Sequence, residues 1–137
     1  MIQNGEFQIT LKLLLWDKNY FLYLKDRHTG FGDLPGGRIT KEEHYNWFSA
    51  LEREIQEELG SIEYKIQPDP VYVFPHFVSK DQKDAVAILF EGYYLGGKIE
   101  ISDEHEEYLW LHKNTSLEDY FSDTMLIGLK NYFNKRK

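Results

Sequence analysis

Apolar residues follow two different rhythms along this chain. From Phe7 to Trp16 (FQITLKLLLW) the positions are mostly apolar or β-branched, and Tyr20 to Lys25 (YFLYLK) repeats the pattern after a polar Asp17-Lys18-Asn19 break. These segments predict two strands joined by a turn. A glycine-rich connection, His28 to Gly37 (HTGFGDLPGG), comes next. The period then changes. From about Lys41 to Leu59 the pattern predicts a long helix, with Thr40 and Glu43 spaced as a capping box and Gly60 at the C-terminal end. Strand-like segments return at Ile62 to Ile66, Val71 to Val78 and Ala85 to Leu95, with shorter ones at Lys98 to Ile101 and Glu107 to Leu111. Ser116 to Phe121 and Asp123 to Phe133 predict two closing helices, the second amphipathic through Met125, Leu126, Leu129, Tyr132 and Phe133. Strands around one early helix, with helices at the end, predict a single α/β domain over residues 1–137 with a mixed sheet between helices.

Composition bounds the function classes. A chain of 137 residues with 42% hydrophobic and 16% aromatic residues is large and apolar enough for one real core, which excludes disorder. No apolar run is long enough to span a membrane, and Met1 to Glu6 lacks the basic start and apolar stretch of a signal peptide, so a cytoplasmic location is expected. The absence of cysteine excludes disulfides, zinc thiolate sites and cysteine nucleophiles. The net charge of −7 argues against duplex nucleic acid as a partner, which would ask for a basic face. A small polyphosphate remains compatible, provided that a divalent cation stands between it and the carboxylates. The aromatic content suits either the core of a monomer or the interface of a homodimer.

The chemistry concentrates in Leu34 to Gly60, LPGGRITKEEHYNWFSALEREIQEELG. With Glu54 as zero on a helical wheel, Glu57 falls near roughly −60° and Glu58 near about +40°, so three carboxylates share one arc at successive turns. Phe48, Leu51, Ile55 and Leu59 lie together beside that arc, and this side packs on a sheet while the carboxylates line the margin of a cleft. Arg53, one turn before Glu57, is placed to orient or partly neutralise it. Three like charges in one patch destabilise a bare helix, and a hard divalent ion with oxygen ligands, Mg²⁺ or Mn²⁺, relieves that repulsion. Such an ion also bridges phosphate oxygens and lowers the pKa of a bound water. Pro35-Gly36-Gly37 lets the backbone turn sharply and come close to a ligand or metal. A glutamate-rich helix end alone is more often a solvated face, and PGG alone a turn; the two at this order and spacing are harder to obtain by chance.

These residues resemble the signature of the Nudix (MutT-like) hydrolases: Gly, five residues, Glu, seven residues, then Arg-Glu-U-x-Glu-Glu-x-Gly-U, where U is a bulky aliphatic. Gly37 and Glu43 match the opening, and Arg53-Glu54-Ile55-Gln56-Glu57-Glu58-Leu59-Gly60 matches the core without a gap. Two departures stand out. Nine residues, not seven, separate Glu43 from Arg53, which changes how Glu43 is placed relative to Arg53, and Ser61 follows Gly60 with Ile62 one position late. The resemblance implies a Nudix-like α/β/α sandwich with a central mixed β-sheet. It implies Glu54, Glu57 and Glu58 as ligands of Mg²⁺ or Mn²⁺, the Gly37 carbonyl as a further ligand, and Arg53 as electrostatic partner of the glutamates. It also implies hydrolysis of a phosphoanhydride in a nucleoside diphosphate linked to another group: a nucleoside triphosphate, ADP-ribose or a nucleotide sugar. The isomerase branch of the family relies on a cysteine, and this chain has none.

Residues outside the signature complete the expectation. One carboxylate must accept the proton of the attacking water. It is a helix glutamate in some members and a loop residue in others, and Glu104, in SDEHEEYLW, is the loop candidate here, with Glu107 behind it. Arg27, Lys25 and Arg38 are candidates for phosphate contacts, beside the Gly36 and Gly37 backbone. Trp47 lies on the carboxylate side of the helix and either covers the cleft or packs under a loop. His76 reads as a structural strand residue. Tyr72, Phe74 and Phe77 form either a base-stacking wall or core. Pro75 falls near, but not at, a position where ADP-ribose-cleaving members often carry proline. The rival reading is a non-catalytic Nudix-like domain that senses a nucleotide or supports another protein. Such domains typically lose core glutamates, whereas all three stand here. An unrelated acidic interaction domain would bind no metal at a defined site.

Overall fold

The computed structural model describes residues 2–136. Its elements run in the order β1 (Gln8–Asp17), β2 (Tyr20–Asp26), β3 (Gly32–Asp33), β4 (Gly36–Arg38), a 3₁₀ turn (Lys41–Glu43), α1 (Trp47–Leu59), β5 (Glu63–Ile66), β6 (Tyr72–Val78), β7 (Lys83–Gly96), β8 (His105–His112), a second 3₁₀ turn (Leu117–Asp119) and α2 (Asp123–Lys135). All eight strands join one sheet. β1 and β7 run parallel from Gln8↔Ala85 to Trp16↔Tyr93, while the remaining pairings are antiparallel. The sheet is therefore mixed, with β5 and β6 sharing the other edge of β7 and β8 flanking β2.

Alternation along β1 sorts its side chains into two cores. Leu11, Leu13 and Leu15 point to the face covered by Ala50, Leu51, Ile55 and Leu59 of α1. Leu14 and Trp16 point to the opposite face, covered by Met125, Leu129 and Tyr132 of α2. Each buried side chain of this size contributes roughly 1.5–3 kcal/mol through removal of apolar surface from water. The two helices are thus held by the period-two pattern of one strand. The result is the α/β/α sandwich expected from the sequence.

The sheet is not continuous between β1 and β2. These strands pair only at Trp16↔Phe21 and Asp17↔Tyr20, beside their turn, and then part. Farther along, β4 takes the edge of β1 at Thr10, Leu11 and Lys12, and β3 takes the edge of β2 at Leu24 and Lys25. The glycine-rich connection thereby fills the wedge between the parted strands, and the last turns of α1 lie against it.

Several expected boundaries shift. The long helix begins at Trp47 rather than near Lys41, because Asn46 caps it by accepting from Ser49 N at 3.2 Å. The Thr40–Glu43 capping pair does form, with Thr40 N donating to Glu43 Oε1 at 2.9 Å, but it caps the short 3₁₀ turn. Lys98 to Ile101 is not a strand. Gly96 and Gly97 take φ of 144° and 97°, which ends β7, and Glu100 N donates to Leu59 O at 2.9 Å, so the segment satisfies its backbone on the end of α1. Ser116 to Phe121 shrinks to the 3₁₀ turn. Phe48 sits at the edge of the helix interface, its ring 5.5 Å from that of Phe90. Among the described residues no helix is long and apolar enough to cross a membrane.

Candidate active site

Where β1 and β2 part, an open cleft of about 1520 Å³ forms. Its walls come from Arg53, Glu54, Glu57 and Glu58 of α1, residues 36–38 of β4, residues 76–80 at the end of β6, residues 102–105 ahead of β8, and residues 122–125 at the start of α2. Segments far apart in sequence thus meet where β1 and β2 part.

Glu58 is the most constrained of the helix carboxylates. Its residue is 6% exposed, and its Oε1 accepts from Gly36 N at 2.7 Å. Gly36 has φ of 135°, and a Cβ there would run into the Leu11 carbonyl, so only glycine brings this N–H to the carboxylate. Burial pushes the Glu58 carboxyl up to about 8, against the opposing pull of the Lys12 charge and the Gly36 hydrogen bond. His105, 3% exposed, faces the other oxygen, with Nε2 at 3.9 Å from Oε2. Burial lowers the pKa of the imidazole, which favours its neutral form.

Lys12 and Asp33 complete the floor. Lys12 is 6% exposed in the middle of an apolar strand, and its Nζ meets Asp33 at 3.0 Å and the Leu34 carbonyl at 3.4 Å. Burial opposes its charge, yet Asp33, then Glu58 and Glu54, together raise its pKa. The ammonium therefore stays charged beneath the carboxylates. Sequence reading passed over Lys12, Asp33 and His105. The available signal was a lone lysine interrupting ITLKLLLW, since a charge at a buried strand position needs a partner.

Arg53 is the hub of the second group. Its Nε and Nη2 donate to Glu43 at 2.7 and 2.9 Å, and its Nη1 donates to Glu54 at 3.0 Å and to Glu57 at 3.2 Å. The Arg53 contact, helped by Thr40 N–H, holds the Glu43 carboxyl near 2, and the same bonds raise the guanidinium pKa further. The two extra residues between Glu43 and Arg53 are absorbed by the turn from Lys41 to Asn46, so the pair still meets in bidentate fashion. The Glu54 carboxyl is raised by burial despite Arg53.

These donors fit a hard divalent cation in kind. Carboxylate oxygens and a backbone carbonyl are the ligands Mg²⁺ and Mn²⁺ prefer, and two of the carboxylates are driven toward protonation by burial that a nearby cation would offset. Gly37 packs on the same group: a Cβ there would stand 2.6–2.7 Å from the Glu54 carboxylate. Among the described residues no three histidine, aspartate or glutamate side chains already converge as a cation cage. Glu54 and Glu57 turn to Arg53 and Glu58 turns to Gly36, so loading such an ion requires these side chains to change partners.

The remaining expected residues separate into those at the cleft and those away from it. Gly36, Gly37, Arg38 and Glu104 line it. Arg38 is already engaged, with Asp81 and with Gln8 Oε1. Glu104 is exposed, its Oε1 3.6 Å from Lys80 Nζ. Arg27 is not among the lining residues. Its Nε donates to Asp103 O at 2.7 Å and its Nη2 to His105 O at 3.3 Å. Lys25 pairs with Glu106 at 3.6 Å, also away from the lining, and Glu107 is exposed outside it. Trp47 packs against the α1 core and leaves the cleft. Phe74 is core, Tyr72 packs on that core, and Phe77 lines the cleft. His76 lines it too, with Nδ1 2.8 Å from Thr124 Oγ1. Burial lowers the imidazole to about 4, so the ring is neutral at neutral pH.

This architecture is the Nudix fold. The chain is similar to the MutT protein of Methanosarcina mazei Go1, with 24% identity over 98% of this chain and 95% of that one and a TM-score of 0.75. It is also similar to a MutT Nudix hydrolase from Burkholderia pseudomallei, with 22% identity over 92% and 98% of the two chains and a TM-score of 0.71. An ADP-ribose pyrophosphatase from Streptococcus suis 89-1591 matches with 13% identity over 95% and 92% and a TM-score of 0.66. No protein-family model matches the chain, and no curated protein matches it.

Proposed function

We propose that this protein is a metal-dependent Nudix hydrolase that cleaves a phosphoanhydride in a nucleoside diphosphate linked to another group. The observation that carries this reading is the meeting of Glu54, Glu57 and Glu58, from successive turns of one helix, with the Gly36-Gly37 backbone where β1 and β2 part. Such a patch is costly as scaffolding, since it concentrates partly buried like charges, and its donors suit a cation and a polyphosphate.

In this reading Glu54, Glu57, Glu58 and the Gly37 carbonyl would hold Mg²⁺ or Mn²⁺. When bound, the ion would supply charge neutralisation at the phosphates and a more acidic water. Before the ion binds, Arg53 holds Glu54 and Glu57 on the cleft side of α1. Arg38 and the glycine backbone face the phosphates. Glu104 accepts the proton of the attacking water, since it lines the cleft and its carboxylate is exposed and able to reorient. The substrate class is a nucleoside triphosphate, ADP-ribose or a nucleotide sugar, and one of the similar structures is itself named an ADP-ribose pyrophosphatase.

The test is a hydrolysis screen with Mg²⁺ or Mn²⁺ over nucleoside triphosphates, ADP-ribose, nucleotide sugars and dinucleoside polyphosphates, with products separated by chromatography. Metal-dependent release of a nucleoside monophosphate is the expected result. Tight nucleotide binding by folded protein without turnover of any substrate would replace the hydrolase with a sensing domain.

A further inference from the structure

We propose that Arg27 is a positioning residue: it clamps residues 103–105 as a fixed arm of the cleft and so sets where the Glu104 carboxylate stands. The proposal rests on the hydrolase reading above for its catalytic consequence, and on geometry for the clamp itself. One arginine takes three successive carbonyls. Its Nε donates to Asp103 O at 2.7 Å, its main-chain N–H to Glu104 O at 3.0 Å, and its Nη2 to His105 O at 3.3 Å. Arg27 does not line the cleft.

Two further observations fix the arm. The β2–β8 ladder shifts register between Lys25 and Asp26, so that Lys25 pairs with Glu107 and Asp26 with His105, leaving Glu106 as the extra residue of a bulge. A bulge re-aims the side chains beyond it. Beyond the bulge His105 is 3% exposed and stands 3.9 Å from Glu58. The arm is thereby held from β2 by Arg27 and abuts α1 through His105. Glu104, between these supports, lines the cleft with its exposed carboxylate, where the opposing contact is the exposed Lys80 at 3.6 Å. Removing the Arg27 side chain frees the Asp103 and His105 carbonyls to water while the main-chain bond to Glu104 O stays, which loosens the arm on both sides of Glu104, and misplacing a reacting group by about 1 Å costs on the order of 10²-fold in rate.

The experiment compares Arg27→Met, Arg27→Lys and Glu104→Gln, with the Arg27→Met/Glu104→Gln double variant, on the substrate found by the screen, together with amide hydrogen exchange over residues 102–107. Arg27→Met should lower kcat roughly tenfold with KM within about twofold, Arg27→Lys should recover part of the loss, and Arg27→Met should add nothing once Glu104 is Gln. Exchange at residues 104–107 should accelerate in Arg27→Met and not in Glu104→Gln. A rise in KM at unchanged kcat would make Arg27 a substrate ligand instead. An equal loss in both backgrounds would reduce it to a general structural role. Unchanged exchange would refute the clamp. A wild-type protein that turns over no substrate would remove the hydrolase reading and the catalytic consequence with it, while the exchange result still decides the clamp.

Discussion

The two helices that cover the sheet have equal length and similar hydrophobic anchoring, yet they treat buried ionisable groups in opposite ways. α2 buries Tyr132, whose phenol is pushed up to about 12 by burial and by the Glu91 charge, so it stays neutral at any ordinary pH and nothing is lost. The remaining charges at that end are matched: Glu91 accepts from Trp16 Nε1 at 2.8 Å and from Arg136 Nε at 2.9 Å, and the Arg136 guanidinium lies 4.3 Å from the Trp16 ring. α1 instead buries Glu58 with its carboxyl pushed up to about 8, against the ordinary preference of a carboxylate for its charge. It also crowds Glu54 and Glu57 onto one guanidinium. Local choices agree with the fold along the buried face of α2 and conflict with it at the end of α1. Such conflicts mark functional sites more often than scaffolding.

Substitutions can separate the two helices, because their effects should appear in different measurements. The largest effect belongs to Glu57→Gln, which should reduce hydrolysis by roughly a hundredfold or more while leaving thermal unfolding nearly unchanged. A variant that keeps full activity would place the chemistry elsewhere. On α2, Leu129→Ala should do the reverse. Leu129 is fully buried in the Trp16–Phe21–Phe121 cluster, and its truncation should cost about 3 kcal/mol in denaturant unfolding with kcat little changed under folding conditions.

Glu58→Gln sharpens the contrast through pH. A carboxyl whose folded pKa is about 8 holds a proton between pH 4.5 and 8 that the unfolded chain releases, so the wild-type protein loses stability as pH rises through that window. Glutamine does not ionise, and its side-chain oxygen can still accept from Gly36 N. In the metal-free protein the variant should therefore match the wild type near pH 4 and exceed it by on the order of 4 kcal/mol at pH 8. A constant difference across the range would mean that burial does not set the Glu58 proton. The smallest effect is expected at the quiet start of the same helix. Asn46→Ala removes the cap on Ser49 N and should lower stability by about 1 kcal/mol without touching the rate, as read from denaturant midpoints.

What was legible in the sequence follows the same division. Period-two and helical patterns placed β1, β2, β6, β7 and α2 within a few residues, because in most of these elements an apolar face sets the pattern. Arg53, Glu54, Glu57 and Glu58 could be put on one arc from helical geometry, and the structure brings them to one cleft. The start of α1 was less legible, since Thr40 and Glu43 are a genuine capping pair that closes a 3₁₀ turn, and the true cap, Asn46, lies in an unremarkable HYNW stretch. Lys98 to Ile101 looked like a strand because Ile99 and Ile101 alternate, yet Ile99 packs with the α1 core and the backbone bonds to the helix end. Lys12, Asp33 and His105 escaped because their roles depend on long-range pairing: a strand interior, a two-residue strand and a bulge have no local signature for partners far away in sequence. For Arg27 the sequence showed only a charge at the end of the second strand, since only the fold shows its donors turned to the 103–105 carbonyls.

The central claim, that the conflicted end of α1 is a cation site, is tested most directly by calorimetric titration of Mn²⁺ into the wild-type protein and into Glu54→Gln and Glu57→Gln. Saturable binding to the wild type, weakened about tenfold or more in each variant with both still folded, is the predicted result. Equal affinity in all three proteins, or no saturable binding to the wild type, would contradict it.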